Sequence, residues 1–246
     1  MKKFLLSFAI ILVIATLPAE KALAMVPSTY FYEGETIIWK IKEVPAGRFP
    51  IACAVDIHTL SENFNRLYEA GFRLVDLNVN KSDDGRWSVF VGKNVLFTVS
   101  GEHAKLSNQD PERIALNLMS RIYEALGKQN AEALTPEYQI GGKYQTSGLI
   151  SWFGGKFIGR NFANGERFTE THLAAASTTL PFGTLVKVSL PSGKYVVVRI
   201  TDRFKGHRNR VLDISHAAAE LLEIKGGRVP RANIEVLGRL DKIGGK

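Results

Sequence analysis

The stretch Leu185-Val186-Lys187-Val188-Ser189-Leu190, Pro191-Ser192-Gly193, Tyr195-Val196-Val197-Val198-Arg199-Ile200-Thr201 decides the fold class. Residues 185–190 alternate apolar and polar, Pro191-Ser192-Gly193 turns the chain, and residues 195–201 alternate again, which predicts two strands joined tightly. Asn233 to Leu237 reads as one more short strand. Asp213 precedes a helical run, Ala217 to Ile224, whose spacing buries Ala218, Leu221 and Leu222, with Asp213 placed as a helix cap. About six short strands with one short helix predict a compact β-barrel.

Upstream the pattern changes. Residues 26–50 carry Pro27, Pro45 and Pro50 and read as an irregular lead-in, extended from Thr36 to Ile41. Ile51 to Ile57 is an apolar run with one carboxylate and reads as a buried strand. Leu60, Phe64, Leu67 and Tyr68 have helical spacing, and Ala70-Gly71 stops that helix. Residues 73–79 alternate as a strand, and 87–91 with 95–99 read as a hairpin across Gly92-Lys93-Asn94. Asp110-Pro111-Glu112 opens a helix that runs to Leu126 and buries Ile114, Leu118, Met119 and Ile122. Residues 25–126 therefore describe a small α/β domain, 127–147 a polar linker with Gly141-Gly142, 148–239 the barrel and 240–246 a tail. Cys53, among Ile51, Ala52, Ala54 and Val55, reads as a buried structural thiol despite nearby His58.

Lys2 and Lys3, the apolar run Phe4 to Leu17, and Ala22-Leu23-Ala24 before Met25 have the three-part layout of a secretory signal peptide over residues 1–24. The apolar run is short for a bilayer span, which takes roughly 20 residues. No later segment reaches spanning length, so the mature chain is expected in the periplasm, the cell wall or outside the cell. Export argues against nucleic acid as a partner.

The whole chain has 246 residues and a formal charge of +8, with 45% hydrophobic residues and one cysteine, which excludes a disordered chain and a disulfide framework. The charge is uneven: residues 25–147 hold 13 Lys+Arg against 15 Asp+Glu, and residues 148–246 hold 16 against 8. Fifteen of the 22 glycines lie beyond position 140. The basic half therefore coincides with the expected barrel and suits an anionic polymer. His207 and His216 are irregularly spaced without companion carboxylates, so neither a metal nor another cofactor is expected.

Five motifs follow one another in the last 100 or so residues. They are Ser151-Trp152-Phe153-Gly154; Phe157-Ile158-Gly159-Arg160-Asn161-Phe162-Ala163-Asn164-Gly165-Glu166; Leu180-Pro181-Phe182-Gly183-Thr184; Val198-Arg199-Ile200-Thr201-Asp202-Arg203; and Asp213-Ile214-Ser215. In this order and near this spacing they resemble the rare lipoprotein A family over about residues 148–238. The resemblance implies a six-stranded double-psi β-barrel and a lytic transglycosylase acting on peptidoglycan glycan strands, with cell-division or wall-synthesis proteins as possible partners. It also implies cleavage between N-acetylmuramic acid and N-acetylglucosamine without water, leaving 1,6-anhydro ends.

That chemistry needs a carboxyl that first gives a proton to the departing oxygen and then takes one from the 6-hydroxyl. Asp202 matches the family's Asp-Arg motif and is the first candidate. Glu166, after the turn dipeptide Asn164-Gly165, matches a second site position. Asp213 matches the acid of the expansin and glucanase branch. Trp152 and Phe153 are candidate stacking surfaces for sugar rings. Arg160, Arg167, Arg203, Lys205, Arg208 and Arg210 are candidates for a basic rim, although alternation along a continued strand turns Arg203 away from Asp202.

Three departures from the family pattern bear on activity. Thr169 stands where the family has Asp, and Ser177 where it has His; both keep substrate-binding positions. Phe204-Lys205 replaces the Gly-Pro that normally follows Asp-Arg. His172 lies five residues before Ser177 and faces the other way on an extended strand. Two readings stay open, an enzyme that cuts glycan and an expansin-like module that only binds it. A third makes the protein an adaptor working through an exposed face of helix 111–126.

Overall fold

The computed structural model describes residues 27–72, 74–129, 145–206, 210–226 and 230–239. The expected signal peptide, most of the expected linker, His207, Arg208 and the tail lie outside the described residues.

The segment read as an irregular lead-in is a three-stranded antiparallel sheet, β1 (Ser28–Glu33), β2 (Thr36–Ile41) and β3 (Val44–Pro50). Its prolines fall at Pro27 before the sheet and at Pro45 and Pro50 on the edge strand β3, where a missing N–H removes no ladder bond. The run 51–57 is not a strand. It is a 3-10 turn followed by helix α1 (Ala54–Ala70). Ile57, Leu60, Phe64 and Leu67 share the buried stripe of α1, while Val55 is 78% exposed. The unbroken apolar run thus hides a one-faced helix.

Strand β4 (Leu77–Lys81) starts later than the alternation suggested, after a 3-10 turn over Leu74–Asp76. It pairs with β5 (Trp87–Val91), which pairs in turn with β6 (Asn94–Thr98), and this is the expected hairpin plus one strand. A short helix α2 (Gly101–Ser107) follows, capped by the Ser100 hydroxyl on the His103 N–H. Helix α3 (Pro111–Gln129) starts where the sequence put it, with Asp110 Oδ1 accepting from Glu112 N at 2.9 Å. It continues to Gln129, three residues into the segment read as linker.

The rest is a closed six-stranded barrel in the order β10-β8-β11-β7-β12-β9. Its strands are β7 (Gln145–Phe153), β8 (Ala174–Ala176), β9 (Thr184–Ser189), β10 (Tyr195–Asp202), β11 (Arg210–Ser215) and β12 (Arg231–Arg239). Two neighbouring pairs are parallel, β10 with β8 and β11 with β7, and the other four are antiparallel. Helix α4 (His216–Leu221) follows β11 directly. Its cap is Ser215, whose hydroxyl accepts from Ala218 N, so the expectation that Asp213 caps the helix is corrected: Asp213 lies inside β11.

Helix α3 packs on the barrel as well as on the upstream sheets. Ser120 Oγ accepts from Val197 N at 2.9 Å, and buried Glu124 accepts from Lys187 Nζ at 3.0 Å and Tyr195 Oη at 2.7 Å. Buried side chains from both halves form one continuous cluster, from Trp39 and Phe64 through Met119 and Ile122 to Val186 and Val198. β10 is consequently buried along Val196–Thr201, with α3 on its outer side. No helix among the described residues is long and apolar enough to cross a membrane.

Candidate functional site

A groove of about 480 Å³ opens on the barrel where β7, β8, β10 and β11 come together. Asp202, Asp213, Trp152, Phe153, Arg160 and Arg203 all line it, joined by Ser151, Arg210 and Phe204. The topology explains the convergence. Asp202 pairs in register with Ala176 on β8 in the parallel sense, and Asp213 pairs with the same Ala176 in the antiparallel sense. Residues level with one another on adjacent strands face the same side, so both carboxylates rise over the small side chain of Ala176.

Each carboxylate is held differently. Asp202 Oδ1 accepts from the backbone N–H of Ala163 at 2.9 Å and of Arg203 at 2.8 Å, while Oδ2 has no hydrogen-bond partner among the described residues. Asp213 Oδ1 accepts from Ser151 Oγ at 2.6 Å and lies 2.9 Å from Arg210 Nε. Arg210 Nη1 also donates to Ser151 Oγ at 3.1 Å, which closes a Ser151–Asp213–Arg210 triangle.

Arg203 does not turn away. β10 ends at Asp202, so strand alternation no longer governs the next residue. Its guanidinium lies 3.9 Å from the centre of the Phe182 ring and donates to Ser177 O at 3.3 Å. With Arg160 and Arg210 it makes the groove wall basic, whereas Arg167 and Lys205 take no part in the lining. Trp152 is 37% exposed, its Nε1 donates to Gly226 O, and its ring lies 5.0 Å from that of His216. Phe153 packs at 5.3 Å on Phe168 and is half-buried, so it serves the core as well as the groove.

Glu166 is not in the groove. It forms a two-pronged pair with Arg199, Nη1 donating to Oε1 at 2.7 Å and Nη2 to Oε2, and also accepts from Asn164 Nδ2 at 2.7 Å. Burial pushes its carboxyl upward, but the hydrogen bonds and charge of Arg199, helped by His172 and Asn164, outweigh this and hold it below the ordinary glutamate value. A carboxyl so held stays ionised, which suits a clamp and not a proton donor.

Thr169 and Ser177 do not line the groove either. Ser177 is buried, and its hydroxyl accepts from Thr179 N and Leu180 N, the work of a turn cap. Thr169 is exposed outside the groove, with its N–H donating to His172 Nδ1 at 2.9 Å. His172 lies among Phe162 and Phe168, also off the groove; its imidazole is pushed down by burial and by the charge of Arg199. Among the described residues no cluster of three or more His, Cys, Asp or Glu could hold a metal ion.

Sequence reasoning passed over Arg199 and Ala176. Arg199 had a signal: a guanidinium in an otherwise apolar strand needs a buried partner. A second cavity of about 400 Å³ lies between β3, α2 and α3, lined by Arg48, His103 and Arg121 among others and by no carboxylate.

The family described as "Lytic transglycolase" matches residues 145–234. The chain is 46% identical over 91 residues to the probable endolytic peptidoglycan transglycosylase RlpA of Synechocystis sp., covering 37% of this chain and 28% of that one. It is 47% identical over 114 residues to the probable enzyme of the same name from Aquifex aeolicus, covering 46% and 47%. It is 41% identical over 104 residues to the endolytic peptidoglycan transglycosylase RlpA of Neisseria meningitidis, covering 42% and 41%. The matched part spans less than half the length of each of these relatives. Residues 145–234, a closed six-stranded barrel carrying these motifs, are similar to the RlpA-like double-psi β-barrel of the lytic transglycosylases.

Proposed function

We propose that the chain is an exported lytic transglycosylase that cleaves peptidoglycan glycan strands, with Asp202 as the acid and then the base. The observation that carries this reading is the pair Asp202 and Asp213 facing one groove across Ala176. Relatives named as endolytic peptidoglycan transglycosylases support the substrate class.

In this mechanism the protonated Asp202 gives its proton to the oxygen leaving N-acetylmuramic acid C1. The C1–O bond breaks and positive charge develops at C1, facing the carboxylate of Asp213. Asp202, now a carboxylate, takes the proton of the 6-hydroxyl as O6 bonds to C1 and closes the 1,6-anhydro ring. No water is consumed, so no second carboxylate has to activate one. Two backbone donors fix Oδ1 and leave Oδ2 for the proton transfer. Trp152 offers an exposed ring for a sugar face, and Arg160, Arg203 and Arg210 offer counter-charges for substrate carboxylates.

The sequence over residues 1–24 supports export, and 25–126 is proposed as a domain that supports the barrel through α3. A binding module that does not cut is the second reading. It is favoured by Thr169 and Ser177, which stand at two positions where the family pattern carries titratable groups. The test is to incubate the full chain with purified glycan strands and follow soluble products by mass spectrometry. 1,6-Anhydro products that fall about 100-fold or more in Asp202→Asn are expected, the range for loss of general acid–base catalysis. Retention on the glycan without any such product establishes the binding module instead.

A further inference from the structure

One buried polar chain links helix α3 to the groove. Arg199 is 5% exposed on β10, three residues before Asp202. A guanidinium in that position needs a buried anionic partner to offset its desolvation. Two of its donors go to Glu166, Nε has no hydrogen-bond partner among the described residues, and the hydroxyl of Tyr123, buried on α3, is coupled electrostatically to the same guanidinium. From Glu166 the chain runs back to the site through the loop 162–166. Asn164 Nδ2 donates to Glu166 Oε1 and Asn164 Oδ1 accepts from Glu166 N, while Phe162 N donates to Glu166 O at 2.8 Å. The loop is tied to β10 by Asn164 N on Thr201 O at 3.1 Å, and its Ala163 N–H donates to Asp202 Oδ1.

We propose that Tyr123 and Arg199 are positioning residues for the reaction: they fix Glu166, Glu166 fixes the 162–166 loop, and the loop presents the Ala163 N–H that orients Asp202. Tyr123 lies outside residues 145–234, so an element beyond the family-matched barrel completes its site. Glu166 on this view is an ionised clamp, in accord with its depressed titration. The catalytic consequence rests on Asp202 being the acid, as proposed above; the relay itself does not.

The test uses the full chain labelled with nitrogen-15. An amide proton bonded to a carboxylate changes its resonance as that carboxylate titrates, so Ala163 reports on Asp202 directly. In the parent the Ala163 amide is expected to respond to pH through its bond to Asp202 Oδ1. Tyr123→Phe is expected to cut the amplitude of that response at least by half, and Arg199→Met to abolish it. Arg199→Lys, which keeps the charge without the fork, should restore part of it. Val186 and Val188 amides, deep in the barrel, must keep their positions as proof of folding.

In the same variants product release should fall about tenfold in kcat with KM little changed, because the groove lining is untouched. Should Arg199→Met not fold, Tyr123→Phe and Glu166→Gln carry the test, since both leave Arg199 in place. An unaltered Ala163 titration in folded Tyr123→Phe and Glu166→Gln overturns the proposal. A collapsed Ala163 response with full product release leaves the relay standing and removes Asp202 from its catalytic role.

Discussion

Asp202 at the end of β10 and Asp213 within β11 are both register partners of Ala176, one from each side of the short strand β8. Two strand spacings separate their backbones, about 10 Å. Both carboxylates and the Ala176 methyl group line the same groove. Any larger side chain at 176 stands between them.

Ala176→Leu therefore tests the groove as a glycan site. The added carbons fill the space between the carboxylates without removing either one. Retention of the full chain on purified glycan strands should weaken at least tenfold in a co-sedimentation assay. Over-packing at this buried position should cost about 1–3 kcal/mol, read as a lower Tm. Unweakened binding in a folded Ala176→Leu would show that glycan does not enter between Asp202 and Asp213.

Acid should destabilise the protein in two stages. His172 and His103 both titrate below the ordinary histidine value, chiefly because burial disfavours the charged ring. Their neutral forms are favoured in the fold, so their contribution is complete above about pH 6.5 and is lost as pH falls toward their folded values. Glu166 is also depressed, the Arg199 pair overcoming the effect of burial. Its contribution is complete above the ordinary glutamate value and is lost further down, as pH falls through its lower folded value. Thermal melts from pH 8 to pH 3 should show both declines. Glu166→Gln should shrink the second decline, which Asp84 and Glu223 share, while leaving the first, and a second decline of unchanged size in that variant would remove Glu166 as a source.

Most of the barrel was legible because its strands carry their own signals: the 185–201 hairpin, the Asn233–Leu237 strand and the five ordered motifs. The upstream half was harder. The run 51–57 is apolar at every position but one, and a run that short has no period, so the stripe of α1 emerges only with Leu60, Phe64 and Leu67 included. At the site, Asp202, Asp213, Trp152 and Arg160 were found by motif, and they do share the groove. Glu166 and Ser177 were not separable from them in sequence. What holds them off the groove is an ion pair with Arg199, 33 residues away, and a local turn cap, and neither leaves a mark on the motif itself. Tyr123 was hidden for a similar reason: as an aromatic on a buried helix face, it reads as core until its electrostatic coupling to Arg199 is seen.

Cys53 was read as a structural thiol, and its surroundings sharpen this into a rate. It is 2% exposed at the start of α1, and burial with nearby Asp56 and Glu102 pushes its thiol up to about 11. The reactive form is the thiolate, which is scarce at neutral pH under these conditions. The native chain at pH 7.5 should resist iodoacetamide over hours, and the same chain in denaturant should be alkylated within minutes. Mass spectrometry of the intact protein separates the two states by one adduct. Rapid labelling of the native chain would mean that the α1 end of the core opens locally.

Gly127 tests the junction between α3 and the barrel, because two effects compete there. Glycine inside a helix is worse than alanine by about 0.8–1.0 kcal/mol, so Gly127→Ala on an open helix face would stabilise. Here an added Cβ would lie 2.9 Å from Leu237 Cβ and 3.3 Å from Leu185 Cδ1, on β12 and β9. The Leu237 contact is with the first side-chain carbon of a strand in a closed sheet and yields only if the backbone moves. Over-packing of this kind costs about 1–3 kcal/mol and should outweigh the propensity gain. Gly127→Ala is thus expected to lower Tm, although it adds the best helix former. Melts of the full chain check the sign, and a raised Tm would mean that α3 rides on the barrel loosely enough to shift. A loose α3 would also fail to hold Tyr123 against Arg199, so the same variant should weaken the pH response of the Ala163 amide. A lowered Tm with that response intact would confine the strain to the Leu185–Leu237 contact and leave the Tyr123 end of the helix in place.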